Sequence, residues 1–372
     1  MFRDGSPNMR WLFHSVAMVV LVACASPPEL VGVDNPDIPA ASVETAVLRK
    51  IFLASTREAT ETVGAFYSEK RAPELGLASV QVSIPPTHVV GELERPNRLP
   101  PDPTTEFAIV EPTIYANDKT FIASINRELQ KIPKGKRNIM FFVHGYNNTT
   151  SDAVLRLAQF VEDSGFEGVP LLFDWASAGS LTRYVYDLNS AMIARAKIDD
   201  ISSIMARTNA DGYDIFAHSM GAFLIMEAMK DRVQQDKFNN NGRLQSIVLA
   251  SPDIDMDLFR AQLEQIDTEF DSFFVLLSQD DSALNISRAI SGGVPRVGAS
   301  NITELAELGV VAIDLTEVSN SSSGTHTKFA GSPEIVQLIG NGLNNGNQFN
   351  RSQRATHLGE LIGSLPISIA FE

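Results

Sequence analysis

The alternation of short apolar runs with helical patterns from residue 138 onward is the feature that most constrains the fold of this 372-residue chain. Buried parallel strands appear as continuous apolar, β-branched runs, and a helix usually carries the chain from one such strand to the next. Six runs fit this pattern, over residues 138–143, 169–175, 213–217, 244–250, 272–277 and 310–315. We therefore predict an α/β fold with a mostly parallel central sheet flanked by helices.

Earlier in the chain the pattern changes. Candidate strands over residues 47–55, 78–84 and 107–114 are separated by loops rich in proline, which favours an antiparallel edge over a second domain. Apolar residues at helical spacing predict helices over residues 153–163, 187–207 and 220–238. Weaker patterns predict helices over residues 302–308, 333–343 and 351–361.

The N-terminus has the features of an export signal. Arg10 precedes an apolar stretch over residues 11–23, which is too short for a membrane span of roughly 20 residues. The tetrapeptide Leu21-Val22-Ala23-Cys24 resembles the bacterial lipoprotein box, and this resemblance implies lipidation of Cys24. It also implies an exported protein, anchored by lipid in the bacterial outer membrane or periplasm. An ordinary cleaved signal and an uncut anchor are the alternatives.

These features give a domain plan. Residues 1–24 are predicted to be a signal peptide and residues 25–45, with four prolines, a flexible tether. One domain is expected over residues 46–345, followed by a C-terminal extension over residues 346–372. Cys24 is the single cysteine, so no disulfide can form within the chain. The net charge of −15, without a basic patch, argues against nucleic acid as a partner.

The sharpest motif is Ala217-His218-Ser219-Met220-Gly221, between a predicted strand and a predicted helix. This is the nucleophile elbow of α/β hydrolases, with Ala217 in place of the first glycine. Small residues flank the turn because its backbone is strained. The pattern predicts that Ser219 is a nucleophile and that the Met220 N–H, at a helix N-terminus, donates to an oxyanion.

The strand over residues 138–143 ends in His144-Gly145-Tyr146-Asn147. In α/β hydrolases a His-Gly segment at this place supplies the second oxyanion donor, which here is the Tyr146 N–H. His144 is expected to be structural.

The chain order of this fold is nucleophile, acid, histidine. His326 and His357 are the two histidines that follow Ser219. His326 is the predicted base because its loop follows the last strand, whereas His357 lies in a predicted helix. His218 comes too early in this order and is expected to point away from Ser219.

Two places can supply the acid. Asp280 and Asp281 follow the strand over residues 272–277, and Asp253 follows the preceding strand. We predict Asp281, since most members of the fold place the acid at the later position. Asp280 and Asp253 remain alternatives, the latter because aspartate is also a good helix cap.

The motifs quoted above, with Phe173-Asp174-Trp175-Ala176-Ser177, Ala250-Ser251-Pro252-Asp253 and Asp281-Ser282-Ala283-Leu284, resemble a bacterial α/β-hydrolase family of uncharacterised function whose members are often labelled esterase/lipase superfamily enzymes. In that family an Asp-x-Ala-Leu segment follows the seventh strand, which implies Asp281 as the acid. An aromatic residue follows its histidine, as Phe329 follows His326. The family usually has Trp-Pro-Ser where this chain has Trp175-Ala176-Ser177. The resemblance implies hydrolysis of carboxylic esters.

The predicted function is therefore that of a serine esterase or lipase-like enzyme acting on a small-molecule or lipid ester. No cofactor or metal is expected, because the sequence has no HExxH motif, cysteine cluster or convincing phosphate-binding glycine loop. The alternatives are a thioesterase or acyltransferase using the same residues, and a catalytically silent, membrane-anchored binding lipoprotein. Asp174, Trp175 and Tyr184 are candidate pocket-rim residues, and a lid is expected, if present, near residues 182–186 or 292–300.

Overall fold

The computed structural model describes residues 27–266, 273–319, 324–344 and 366–370. Cys24, His357 and the predicted helix over residues 351–361 lie outside the described residues. Within these residues one sheet contains the strands β1 (Val47–Ala59), β2 (Tyr67–Ile84), β3 (Ala108–Ile114), β4 (Asn138–Val143), β5 (Val169–Asp174), β6 (Gly212–His218), β7 (Leu244–Ala250), β8 (Phe273–Leu277), β9 (Val311–Asp314) and β10 (Ser368–Ala370). Their order across the sheet is β10-β9-β8-β7-β6-β4-β5-β1-β2-β3.

The centre of the sheet is parallel, which confirms the predicted fold class. The strands from β1 through β5, β4, β6, β7 and β8 to β9 all run in one direction, each paired with its neighbours. β2 pairs antiparallel with β1 and β3, as predicted for the proline-rich part of the chain. The carboxyl ends of the parallel strands share one edge, where loops of α/β proteins carry functional side chains.

Helices cover both faces of this sheet. Over the described residues they are α1 (Asp118–Leu129), α2 (Thr150–Ser164), α3 (Tyr184–Ala194), α4 (Ile198–Ala206), α5 (Met220–Gln234), α6 (Met256–Ile266), α7 (Ser282–Ile290), α8 (Ile302–Ala306), α9 (Lys328–Gly331) and α10 (Pro333–Asn344). α1 and α3 to α6 pack on one face, and α2, α9 and α10 pack on the other. Successive residues of a strand point to opposite faces of the sheet. Phe141 therefore packs on the face covered by α1 and α3 to α6, and Phe142 packs on the face covered by α2, α9 and α10.

The structure changes several predicted helices. The helix expected over residues 187–207 is two helices, α3 and α4, separated by a 3₁₀ turn over Arg195–Lys197. That turn contains neither glycine nor proline, so the sequence does not mark it. Thr149 caps α2 in a capping box with Asp152, one turn earlier than expected. The sequence did not predict α1, α6, α7 or the short α9.

The domain also extends beyond its predicted limits. Residues 25–45 were expected to be a flexible tether, but Leu30 is fully buried and its N–H donates to Ser151 Oγ at 2.9 Å. Val31 bridges both Gly64 and Ile109. Proline restricts the backbone without preventing such an apolar pair from packing. At the other end, β10 lies within the predicted extension over residues 346–372 and pairs antiparallel with β9.

None of the helices over the described residues is long and apolar enough to span a bilayer.

Candidate active site

Ser219 forms the turn between β6 and α5. Its backbone has φ 54° and ψ −122°, a conformation that costs a residue other than glycine on the order of 1–3 kcal/mol. Hydrogen bonds hold this strained turn: the Ser219 N–H donates to the Ala250 carbonyl, and the Ser219 carbonyl accepts from the N–H groups of Ala222 and Asp253. The neighbouring loop after β7 thereby supports the conformation of the turn.

Two glycines allow the loop after β4 to lie against this turn. A Cβ atom at Gly221 would come within 2.4 Å of the His144 carbonyl oxygen. A Cβ atom at Gly145 would lie 2.7 Å from His218 Nδ1 and 2.9 Å from the Cβ of Ser219. Contacts this short do not occur, so a side chain at either position would push the loop away from the nucleophile.

The backbone N–H groups of Tyr146 and Met220 adjoin this contact. Met220 is the first residue of α5, so its N–H has no acceptor within the helix. Among the described residues the Tyr146 N–H also has no hydrogen-bond acceptor. The Asn148 side-chain amide donates to the carbonyls of Gly145 and Tyr146 at 3.2 and 2.8 Å, which fixes the loop. Both N–H groups therefore belong to segments that meet at the Ser219 turn, and neither has a described acceptor.

His326 and Asp281 form a hydrogen-bonded pair. His326 Nδ1 lies 2.7 Å from Asp281 Oδ2, and the Asp281 carboxylate is fully buried. The other carboxylate oxygen, Oδ1, accepts the Leu284 N–H at 3.0 Å and caps α7. Asp281 thus ends the loop after β8, caps α7 and orients the His326 ring. These contacts fix the position of its carboxylate.

The adjacent Asp280 has a different partner. Both of its oxygens accept from Lys328 Nζ, at 2.9 and 3.0 Å, and the same amine donates to the carbonyls of Leu315 and Thr316. Burial raises the pKa of the Asp280 carboxyl, but hydrogen bonds from Ser278 and Lys328 outweigh it and hold that pKa below its usual value. Since Lys328 follows His326 by two residues, this buried amine ties the histidine loop to the ends of β8 and β9.

His218 packs against the His326 ring. Its ring lies 4.7 Å from the His326 ring and 4.9 Å from the Phe329 ring, and its Nε2 is 3.2 Å from the His326 carbonyl oxygen. Burial, with the nearby His326, holds the pKa of His218 well below its usual value, so the ring is neutral. A neutral ring can donate Nε2–H to that carbonyl. His218 therefore faces the backbone of His326 instead of the Ser219 hydroxyl.

The Ser219 hydroxyl forms no hydrogen bond with His326 among the described residues, although His326 packs against the residue that precedes Ser219. Ser219 itself is 3% exposed. Hydrogen bonds between nucleophile and base are often long until substrate binds. The structure thus brings Asp281 to His326 and His326 to the elbow, without a described hydrogen bond between His326 and the Ser219 hydroxyl.

Asp253, the alternative acid, meets other groups. Its Oδ2 accepts from the Tyr184 hydroxyl at 3.0 Å and its Oδ1 from the Ser287 hydroxyl at 2.6 Å. Arg296 Nε lies 3.3 Å from Oδ1. No described contact joins Asp253 to His326. The Tyr184 ring meets the Tyr146 ring edge-on at 5.3 Å, so this cluster adjoins the loop after β4.

A buried ion pair lies beneath the loop after β4. Arg57 Nε is 2.7 Å from Asp174 Oδ1, and the same guanidinium donates to the carbonyls of Ser177 and Asn148. Burial alone would raise the pKa of Asp174, but the Arg57 charge and the hydrogen bond from His144 lower it to about 2. Asp174 and Trp175 are fully buried, so they support the site from below and do not form its rim.

Sequence reasoning missed Arg57, Asn148, Lys328 and Arg296. The available signal for Arg57 was its place directly after the buried segment over residues 51–56, since an arginine that continues such a segment needs a buried partner. Nothing in the local sequence distinguishes Lys328 from a surface lysine.

The fold and this site define an α/β hydrolase. The family described as alpha/beta hydrolase of unknown function (DUF900) matches residues 118–342, and the chain belongs to that family. A search of curated proteins finds no match.

Several solved structures are similar at low identity. An esterase from Pyrobaculum calidifontis has 10% identity and a TM-score of 0.39, with 92% of this chain and 99% of that chain covered. An arylesterase has 12% identity and a TM-score of 0.31, over 91% of this chain and 93% of that one. A predicted CIB-like hydrolase from Thermoplasma acidophilum has 14% identity and a TM-score of 0.34, over 57% and 89%.

No group of three or more His, Cys, Asp or Glu side chains in the described part of the chain is arranged to hold a metal ion.

Proposed function

We propose that this α/β hydrolase is a serine esterase that cleaves a carboxylic ester through an acyl-enzyme on Ser219. The observation that carries the proposal is the hydrogen bond between the partly exposed His326 ring and the fully buried Asp281 carboxylate, beside the elbow. Its members follow Ser219 in the order that the fold requires.

In the proposed reaction the Ser219 oxygen attacks the ester carbonyl while His326 Nε2 takes the hydroxyl proton. Asp281 accepts the Nδ1–H of His326, which fixes the ring's tautomer and favours the imidazolium. The N–H groups of Tyr146 and Met220 hold the tetrahedral oxyanion. Collapse expels the alcohol, which receives the proton from His326. Water, deprotonated by His326, then releases the acid and restores Ser219.

The first test is hydrolysis of 4-nitrophenyl esters from acetate to long-chain acyl groups, with a thioester series beside them. We expect turnover by the wild-type chain and a loss of at least about 10³-fold in kcat/KM for Ser219→Ala. Ser203→Ala, which changes an exposed serine on α4, is the matched control and should leave the rate unchanged.

Two results would contradict this function. One is a Ser219→Ala chain that keeps the wild-type rate. The other is a folded wild-type chain that hydrolyses no member of either series, which would favour a silent binding protein on the same scaffold. A preference for the thioester series would retain Ser219 as nucleophile and redefine the substrate as a thioester.

We further propose that Cys24 carries a lipid that anchors the domain in the bacterial outer membrane or periplasm. The supporting pattern is the short apolar stretch that ends in Leu21-Val22-Ala23-Cys24. Bacteria fed an alkyne-labelled fatty acid should incorporate it into the wild-type chain and not into Cys24→Ser. Unlabelled wild-type protein, or an equally labelled variant, would refute the anchor.

A further inference from the structure

Arg296 is a buried arginine whose hydrogen-bonding groups are largely unused. Its side chain is 7% exposed, yet it donates no hydrogen bond among the described residues. Its Nε lies 3.3 Å from Asp253 Oδ1 but is not aligned to donate to it. A guanidinium has five N–H donors in a planar fork, and the one on Nε is buried here without an acceptor, which is costly.

The surroundings show that Asp253 does not depend on this arginine alone. The hydroxyl of Ser287 donates to one carboxylate oxygen and that of Tyr184 to the other. By contrast, the backbone around Arg296 is fixed, because the residues on either side of it bond to Met256 and Ile254. The main chain that carries Arg296 is therefore fixed, and Asp253 is the one carboxylate paired with its guanidinium among the described residues.

Arg296 is connected to the nucleophile elbow through Asp253. The Asp253 N–H bonds the Ser219 carbonyl, so one aspartate separates Arg296 from the backbone of the nucleophile. The same aspartate bonds Tyr184, whose ring contacts Tyr146 of the loop after β4. Asp253 follows β7, Tyr146 follows β4 and Arg296 lies in the loop after α7, so this cluster adjoins the Ser219 turn.

We propose that Arg296 binds a carboxylate or phosphate group of the ester substrate, so that the enzyme selects esters with an anionic group. The planar fork of arginine pairs with these groups through parallel N–H···O bonds. The chain's net charge of −15 repels anions at a distance, so the preference must come from contact with Arg296. This inference rests on the proposed function because it assigns part of the substrate of the same site.

Binding without turnover tests the inference. The full chain carrying Ser219→Ala is titrated calorimetrically with monomethyl esters of dicarboxylic acids of four to eight carbons, and with the neutral dimethyl esters of the same length. A phosphonate-tipped methyl ester of each length replaces the carboxylate in a third series, and its affinity relative to the carboxylate series identifies the preferred anion. At the best length we expect an anionic ester to bind at least about tenfold more tightly than its neutral counterpart.

Variants assign this preference to one side chain. Arg296→Met in the same background should abolish the preference, because it keeps the side-chain length and removes the donors. Arg296→Lys keeps the charge without the fork and should retain part of the preference, which also covers a Met variant that folds poorly. Arg127→Met is the matched control, since Arg127 is exposed on α1, away from the loop that carries Arg296, and should not matter.

The outcomes separate this inference from the proposed function. Equal affinity for anionic and neutral esters at every length, or an unchanged preference in Arg296→Met, would overturn the role of Arg296 even if the wild-type chain is an active esterase. An Arg296-dependent preference in a chain whose wild-type form hydrolyses no ester would keep the anion site and refute the esterase.

Discussion

Asp281 and Asp253 both follow a parallel strand at the edge of the sheet that carries Ser219, yet they meet different partners. Asp281, after β8, bonds an imidazole, whereas Asp253, after β7, bonds two hydroxyls and lies beside a guanidinium. The difference arises because the loop after β9 reaches the end of β8, its neighbour in the sheet, and not the end of β7. The role of each carboxylate is therefore set by the segment that reaches it.

The largest expected effect separates the two carboxylates by rate. Asp281→Asn should lower kcat for a neutral 4-nitrophenyl ester by about 10³- to 10⁴-fold, because the amide no longer holds His326 in the required tautomer. Asp253→Asn should cost less than about tenfold. Steady-state kinetics of both purified variants provide the measurement. Equal losses, or a larger loss in Asp253→Asn, would exchange the roles of the two residues.

Asp214 is a third buried carboxyl for this comparison, and it has no cationic partner among the described residues. Burial raises the pKa of Asp214 to about 7, and the Ser246 hydroxyl only partly opposes this. Because the folded pKa lies above the unfolded value of 3.8, stability from the protonated form is present at low pH and is lost as pH rises towards 7.

Asp214→Asn should therefore be more stable than the wild type at pH 8, by as much as about 4 kcal/mol, and should lose that advantage near pH 4. Chemical denaturation at the two pH values measures the difference. A gain in stability that does not depend on pH would disprove the raised pKa.

Asp280 and Asp281 are neighbours in the sequence, but replacing them should change the free energy of unfolding by different amounts. Asp280→Asn leaves the buried Lys328 amine without its countercharge and should reduce the free energy of unfolding by about 2 kcal/mol. Asp281→Asn should change stability less, since asparagine also caps helices well. Paired unfolding curves test this, and a more stable Asp280→Asn chain would show that Lys328 does not need the carboxylate.

The smallest expected effect concerns the support behind His326. The pKa of the buried His218 is lowered, so its contribution to stability is present above the unfolded value near 6.5 and is lost as pH falls below it. The stability difference between wild type and His218→Asn should then shrink by about 1 kcal/mol between pH 7.5 and 5.5. A constant difference across this range would mean that His218 titrates normally in the folded chain.

The sequence predicted those parts of the fold that depend on local pattern. Strands β4 and β7 have the predicted limits, because each contains a buried apolar run, over residues 139–143 and 247–250. Helix α7 was not predicted because Asp281 was considered as a candidate acid and not also as the cap of a helix. Leu30 was missed because its burial depends on a distant serine on α2, which no local rule reveals.

The candidate site likewise contains residues that local motifs predicted and residues whose contacts depend on distant segments. The juxtaposition of Ser219, Met220 and the loop that carries Tyr146 was predictable because the elbow and the His-Gly segment are local motifs. The separation of Asp280 from Asp281 was not, because it depends on Lys328 reaching Asp280 while His326 reaches Asp281. Arg296 could not be found from the sequence, since its significance lies in its burial beside Asp253 with an Nε that has no acceptor among the described residues.

The central claim is that Ser219 is a nucleophile activated by His326. Peptide mass spectrometry after treatment with a fluorophosphonate probe tests it directly. We expect the label on Ser219 of the wild-type chain, none on Ser219→Ala, and labelling slowed by at least about 10³-fold in His326→Ala. A label on another residue, or wild-type labelling that is unaffected by His326→Ala, would contradict the account.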